Sequence, residues 1–536
     1  MTTRFEKNIY IRLCLVCLFV FVLFSSKVFA DPNELVVGLD NSIERLIPIK
    51  IKTPQTMPVS MQIFQGLFDL NGEGKIVPSI IEKYETNDNK TWIFHVRKGV
   101  FFHKSEIFPD GTREVTAEDV IYSLQRFCSA DSFASFLMAD SVEGAAEFTQ
   151  GKADSVKGFK YIDRHTLQIE LKRAEQFFIN RISTAWVAVF PKEMDDKQYA
   201  DKSGFSIVVG TGPYKLVTQT ENEIILEKND DYWDEANQPQ INKIIYKVIK
   251  NDQARYINLL RGKIDFMVVP SSLFSHVFTK DGELKKKISN QYQKKVVSTY
   301  NTHFIGINNK KILDANLRLA MFYGTDREEM VNTILYGFGD AMGGTVPKGM
   351  NGYKPLVDGN VYDPEKAAKF LSKSAYKGEA LELIVHDLAN SELIGQIFQA
   401  QMAMIDIKIK LTKLDFGGAV QRILSGDNTM FSMFMEYVYS SPEPILINSF
   451  ASSKIPVPNF VSYSNIKVDE MLENLFHIEK SEASIIECAR IEKRIMDDAP
   501  AVFLYRQKYV VLYPKRMNGL EINANNHYFF EKIKLK

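Results

Sequence analysis

Two hydrophobic periods succeed one another along nearly the whole chain, and that interleaving is what most restricts its fold. Trp92, Phe94 and Val96 alternate with Ile93, His95 and Arg97, and Leu167, Ile169 and Leu171 alternate with Thr166, Gln168 and Glu170. A period of two places one set of side chains on each face of a strand. Helices with their own start signals lie between such stretches. Thr116-Ala117-Glu118-Asp119 reads as a capping box with Asp in place of Glu or Gln, followed by the apolar stripe Val120, Ile121, Leu124 and Phe127. Thr325 with Glu328 predicts a second box, its helix running through Val331, Ile334 and Leu335 to a stop at Gly337. Asp363-Pro364 offers an N-cap and then a proline at the first helical position, ahead of Ala367, Ala368 and Leu371. Residues 468–498 read as two consecutive helices, and Met430 to Val438 as a strand buried on both faces. Elements mixed in this way give an α/β or α+β class.

At 536 residues the chain exceeds one ordinary domain, so two or three are expected. No repeat of solenoid length and no Gly/Ser linker divides it. Gly337–Gly349, with five glycines, and Ser440–Pro458, with four prolines, read as ordered loops of the kind that carry binding residues.

The first thirty residues stand apart from the fold. Arg4, Lys7 and Arg12 precede an uninterrupted apolar run of twelve, Leu13 to Phe24, and Val28-Phe29-Ala30 offers small residues ahead of Asp31. This is the layout of a secretory signal peptide, residues 1–30, and the run is shorter than the roughly 20 residues that span a bilayer. A retained N-terminal anchor is the alternative. Cys14 follows Leu13 and Cys17 follows Val16, a poor setting for lipid attachment, and their C-x-x-C spacing falls in the removed segment. Cys128 and Cys488 remain, and their positions in apolar helical stripes predict two separate buried thiols rather than a disulfide. Lys plus Arg equals Asp plus Glu at 66 each, and removal of the leader leaves 62 against 65. That balance carries no footprint for nucleic acid.

Catalytic signatures are missing from the sequence. It holds no G-x-S-x-G elbow, no G-x-x-x-x-G-K-[ST] loop and no H-E-x-x-H pair. His95 and His103 are eight residues apart around a Gly99 turn, which fits no common metal spacing. The acidic cluster Asp230, Asp231, Asp234 and Glu235 lacks the glycine and ligand order of a calcium loop. No metal and no cofactor are expected. A secreted hydrolase using two distant carboxylates leaves no local trace and stays open as a remote alternative.

Several stretches, taken in order, resemble one family, the solute-binding proteins of bacterial ABC importers in the oligopeptide, dipeptide and nickel-chelate subgroup (solute-binding protein family 5). They are Thr91 to Val100 with Phe102-His103, Thr116 to Val120 with Ser123 to Arg126, and Val209-Gly210-Thr211-Gly212-Pro213-Tyr214. Asn229 with Tyr232-Trp233, Arg261 to Asp265, Asn316 to Arg327 and Tyr362 to Ala367 continue the series. The resemblance implies a two-lobed periplasmic-binding-protein fold of the α/β class, a hinged trap with an extra subdomain on its first lobe. Residues 31–56, 205–297 and 498–536 would then build the core of lobe I, 57–204 its subdomain and 298–497 lobe II. The chain would cross the hinge near Val297-Ser298-Thr299 and again near Asp498-Ala499-Pro500.

The same resemblance implies an extracytoplasmic protein that catalyses nothing. A monomer in the periplasm, it would capture a peptide or peptide-like solute and deliver it to an ABC permease in the membrane. A sugar, haem or metal-chelate ligand, or a role as sensor or chaperone, are the alternatives. In peptide binders of this family an aromatic packs on the ligand just after the buried strand, and an Asp pairs with the peptide's α-amino group. Tyr437 matches the aromatic; Ser440 stands at the Asp position, Phe434 at that of an upstream basic residue, and no His is present there. Glu436, closing an otherwise apolar strand, is the candidate to replace the missing charge, and Tyr439 lies between. Tyr300, Asn301 and His303, past the first hinge crossing, are either ligand contacts or simply an interlobe strand. Gly210 and Thr211 belong to a turn that faces the cleft in relatives, although a tight backbone turn alone accounts for the glycines. Lys50 to Pro58 matches the mouth of the cleft, and Phe136 an aromatic on the subdomain edge.

Overall fold

The computed structural model describes residues 33–43, 45–51, 56–184, 186–195, 207–357, 359–388, 390–479 and 481–535. The expected signal peptide lies outside the described residues, as do residues 52–55 of the expected cleft mouth.

Three sheets organise the chain. In the first, Glu34–Leu39 runs parallel to Lys243–Val248, which pairs antiparallel with Glu223–Lys228 and, beyond it, Tyr214–Gln219. The second is antiparallel throughout, in the order Ile81–Glu85, Thr91–Val96, Thr166–Glu170, Phe159–Asp163. Its alternation is the one the sequence predicts: Trp92, Phe94, Val96, Leu167, Ile169 and Leu171 are buried, and helix Ala117–Phe127 adds Val120, Leu124 and Phe127 to the same core. Thr116 and Asp119 form the reciprocal capping box, with the Thr116 backbone N–H donating to Asp119 Oδ2 at 2.9 Å. Arg113 grips the same carboxylate through both terminal nitrogens, at 2.8 and 2.7 Å.

The third sheet has eight strands around one spine, Ala501–Pro514. The first half of that strand pairs with Asn301–Ile307 and Gly339–Ala341, and its second half with Tyr292–Ser298 and Met267–Val268. On the far side of Asn301–Ile307 come Met430–Glu436, Leu381–His386 and Ile409–Leu414. Leu381–His386 is parallel to both of its neighbours, which requires crossovers, and helices Ser391–Ala403 and Phe416–Leu424 provide them. Met430–Met433 is buried, as a central strand covered on both faces must be.

Two boundaries differ from the sequence reading. Thr325 does not cap its helix: its hydroxyl donates to the Met321 carbonyl at 2.7 Å, and the neighbouring Asp326 caps Arg327–Leu335 by accepting from Glu329 N. The charged carboxylate is the stronger acceptor for a free helix N–H. The strand read from Met430 to Val438 also ends earlier, at Glu436. Ala501 to Tyr505 pair with Gly306 to His303, whereas Lys508 pairs with Ser298. Cys128 and Cys488 are buried free thiols.

Candidate functional site

The buried strand Met430–Glu436 ends beside the second half of the spine strand. Its last residue, Glu436, lies opposite Asn301, and the next residue, Tyr437, donates its N–H to the Tyr300 carbonyl at 2.7 Å. The two segments read as ligand-contacting are therefore neighbours in one ladder.

Each side chain here is held by a different element. The Tyr437 hydroxyl shares a 2.6 Å hydrogen bond with Thr345 Oγ1 of the glycine-rich loop, and burial pushes its phenol up to about 12. Thr302 fixes that loop by donating to the Thr345 carbonyl at 3.0 Å. Tyr509, in the second half of the spine strand, donates to Glu436 Oε1 at 2.7 Å, and withdrawal from solvent raises the Glu436 carboxyl above its ordinary range. The Tyr439 hydroxyl accepts from Asn448 Nδ2 at 2.8 Å, and its ring faces the buried Arg181 guanidinium at 6.0 Å. Ser440 Oγ bonds both the side chain and the carbonyl of Asn180, each at 3.3 Å. Asn180 and Arg181 sit on helix Phe178–Ile182, which packs with the second sheet. Residues 437–440 thus touch Tyr300 at one end and helix Phe178–Ile182 at the other.

Asn301 is tied to the spine strand. Its side chain donates to the Gln507 carbonyl at 3.0 Å and accepts the Gln507 N–H at 2.9 Å. His303 lies flat between Tyr505, with ring centroids 4.7 Å apart, and Phe434 at 5.8 Å. Burial, with a smaller contribution from His386, depresses its imidazole to about 3, so it is neutral. Phe434 continues to Phe416, the first residue of helix Phe416–Leu424, at 6.4 Å, so a row of four rings runs across three adjacent strands to that helix. Tyr300 is buried and its hydroxyl abuts Gly74, whose φ of +77° and missing side chain leave room for the approach.

Gly210 and Thr211 pack against helix Met57–Ile63. A Cβ on Gly210 would run into the Ile63 carbonyl, and His103 anchors the turn by donating its backbone N–H to the Gly210 carbonyl at 2.8 Å. Thr211 is fully buried and its hydroxyl has no hydrogen-bond partner. Phe136 is 42% exposed and packs edge-on to Phe133, which also meets Trp186 at 5.0 Å. Lys50 reaches the same corner through Asp131 at 2.7 Å.

Two cavities lie beside partners of the 437–440 segment, although no residue of the segment itself lines either. One of about 540 Å³ on the hinge side is lined by Gly74, Tyr300, Lys348 and Arg506. The other, about 480 Å³, is lined by Glu175 and Arg181 of the subdomain and by Asn448 and Phe476 of the second lobe. Both fall in the size range of solute sites. Among the described residues no group of three or more His, Cys, Asp or Glu side chains is arranged to hold a metal ion. Sequence reading missed Thr345, Asn180, Arg181 and Tyr509, whose places depend on strand register and on contacts between residues far apart in the chain.

Two lobes joined through adjacent strands, with aromatic and hydrogen-bonding side chains converging where they meet, define a hinged binding protein. The chain belongs to the bacterial extracellular solute-binding proteins, family 5, whose middle region matches residues 75–456. It is 22% identical over 492 residues to the dipeptide-binding protein of Escherichia coli, covering 89% of this chain and 90% of that one. It is 31% identical over 316 residues to the periplasmic oligopeptide-binding protein OppA of Salmonella typhimurium, covering 57% and 55%. The structure of HbpA2 from Haemophilus parasuis superimposes with a TM-score of 0.78 at 22% identity, over 94% of this chain and all of that one.

Proposed function

We propose that this protein is the extracytoplasmic receptor of an ABC importer, taking a peptide or peptide-like solute between its lobes and delivering it to a membrane permease. The observation that carries this reading is the 437–440 segment. It leaves a buried strand and is hydrogen-bonded to Tyr300 on one side and to Asn180 on the other; Tyr300 lines one solute-sized cavity, and Arg181 and Asn448 line a second. A solute lodged there touches both lobes at once, and only such differential contact drives closure. The peptide-binding relatives support the choice of solute class. The reading places the mature protein in the periplasm as a monomer; no helix among the described residues is long and apolar enough to cross a membrane.

The test is native mass spectrometry of protein purified without denaturation, followed by small-angle scattering with the recovered solute. A bound peptide-like mass and a decrease in radius of gyration on its addition are expected. Failure to compact with any of a panel of di- to pentapeptides overturns the peptide reading.

A further inference from the structure

Strand Gly339–Ala341 pairs with the spine strand and with no other. The Met342 N–H donates to the Leu504 carbonyl and the Lys508 N–H to the Phe338 carbonyl, each at 3.0 Å. Antiparallel partners exchange such bonds at every second residue, so Asp340 and Arg506 form the bonded pair between them. Gly339 and Ala341 therefore turn their N–H and C=O groups away from the spine, and no described residue is hydrogen-bonded to these four groups. The free edge lies in a cavity of about 720 Å³. Val331, which packs on the Gly339 face of the strand, and Arg506, which holds Asp340 at 2.6 Å on the opposite face, both line that cavity, so it wraps round the edge. Lys348 and Arg506 also line the hinge-side cavity beside Tyr300, and Arg506 Nη1 donates to the Lys348 carbonyl at 3.0 Å. That contact is the partition the two spaces share.

We propose that this edge is a docking strand for a longer peptide solute, which fills the hinge-side cavity and continues past Arg506 along Gly339–Ala341. This rests on the peptide reading above and narrows it to a class of solute. An unpaired edge presents N–H and C=O groups at every second residue, about 7 Å apart. That is the repeat of an extended polypeptide, and a sugar, a haem or a metal chelate has no matching row of backbone groups. Bonds between main chains take no account of side chains, so the edge selects for length and not for sequence.

The test is calorimetry with a series of peptides, dipeptide to octapeptide, that share their first residues. Wild type should bind the longer members more tightly, and Ala341→Pro should cut that advantage about tenfold by removing one donor and covering the edge. The Ala341 nitrogen faces away from the spine, so proline there removes no bond of the sheet, and thermal melting checks that the variant is folded. N-methylation of the distal residues of the octapeptide should weaken its binding to wild type by a similar factor, and needs no variant. Equal affinity across the series, or an advantage that survives both Ala341→Pro and N-methylation, overturns the docking strand and leaves the peptide reading in place. Binding of no member overturns both. A wild-type dimer in sedimentation that Ala341→Pro dissociates assigns the edge to a second copy of this chain and overturns the proposal as well.

Discussion

Glu436 and Tyr509 are joined by a 2.7 Å hydrogen bond that ties the end of strand Met430–Glu436 to the second half of the spine strand. The carboxyl is held by a neutral donor, burial raises it, and no positive side chain bonds it among the described residues. A solute ammonium arriving there would draw the proton off and supply a positive partner.

A peptide bound through that carboxyl should therefore lose affinity when it is N-acetylated or when Glu436 is changed to Gln. Breaking such a buried pair costs about 3–5 kcal/mol, or two to four decades of affinity. The two changes together should cost little more than either alone. Binding should strengthen as pH rises through the raised Glu436 range, because the unliganded acid must ionise to bind. Calorimetry on free and acetylated versions of one peptide decides it; acetylation-sensitive binding that survives Glu436→Ala places the amine elsewhere.

Tyr437→Ala should weaken solute binding about ten- to a hundredfold, as loss of a central aromatic contact does, while the ligand-free protein keeps its fold. Tyr437→Phe removes only the bond to Thr345 and should cost about 1 kcal/mol of stability with little change in affinity. Equal effects of the two variants on binding would assign the role to the hydroxyl.

Gly210→Ala should destabilise the protein by at least about 2 kcal/mol, because the added methyl meets a backbone carbonyl of Ile63 that has no rotamer by which to withdraw. Differential scanning calorimetry should show the lower melting temperature. A neutral effect would mean that helix Met57–Ile63 moves freely against the turn.

Glu531 is buried beside Asp69 and His527, and burial pushes its carboxyl up to about 7 in spite of the nearby histidine. His527 is also raised: burial opposes its charge, but the charge of Asp69 and its 3.4 Å contact outweigh that. Both groups bind protons more tightly folded than unfolded. The stability they contribute is fully present at low pH and is lost as pH rises from the ordinary carboxylate range to about 7 and through the raised histidine range. Glu531→Gln should therefore flatten the fall in stability between about pH 5 and pH 7 and leave the protein roughly 2–3 kcal/mol more stable than wild type at pH 8. Denaturant titrations at several pH values test the sign; an unchanged slope removes Glu531 from the account.

Much of the framework was legible because its signals are local. The alternation at Trp92–Val96 and the cap at Thr116 need only a few adjacent residues, and both are present as read. The Thr325 box failed on a local competition, since Asp326 lies one residue on and accepts the same kind of bond more strongly. The site was legible in part for a different reason. Register decides that Asn301 faces Glu436 and that His303 lies against both Phe434 and Tyr505, and register between strands more than a hundred residues apart leaves no trace in either one alone. Arg181 and Asn180 were invisible on the same ground, because a short helix of ordinary composition becomes part of a site only when another lobe is set against it.

The spine strand Ala501–Pro514 has a consequence for the order in which the molecule can be assembled. Tyr292–Ser298 waits on it for its pairing and Asn301–Ile307 for one of its two neighbours, so the large sheet is not complete until residues synthesised after about position 500 have arrived. Such long-range pairing is slow to form. A chain emerging from its N-terminal end can thus complete both four-stranded sheets early, while the large sheet is closed only in one late step.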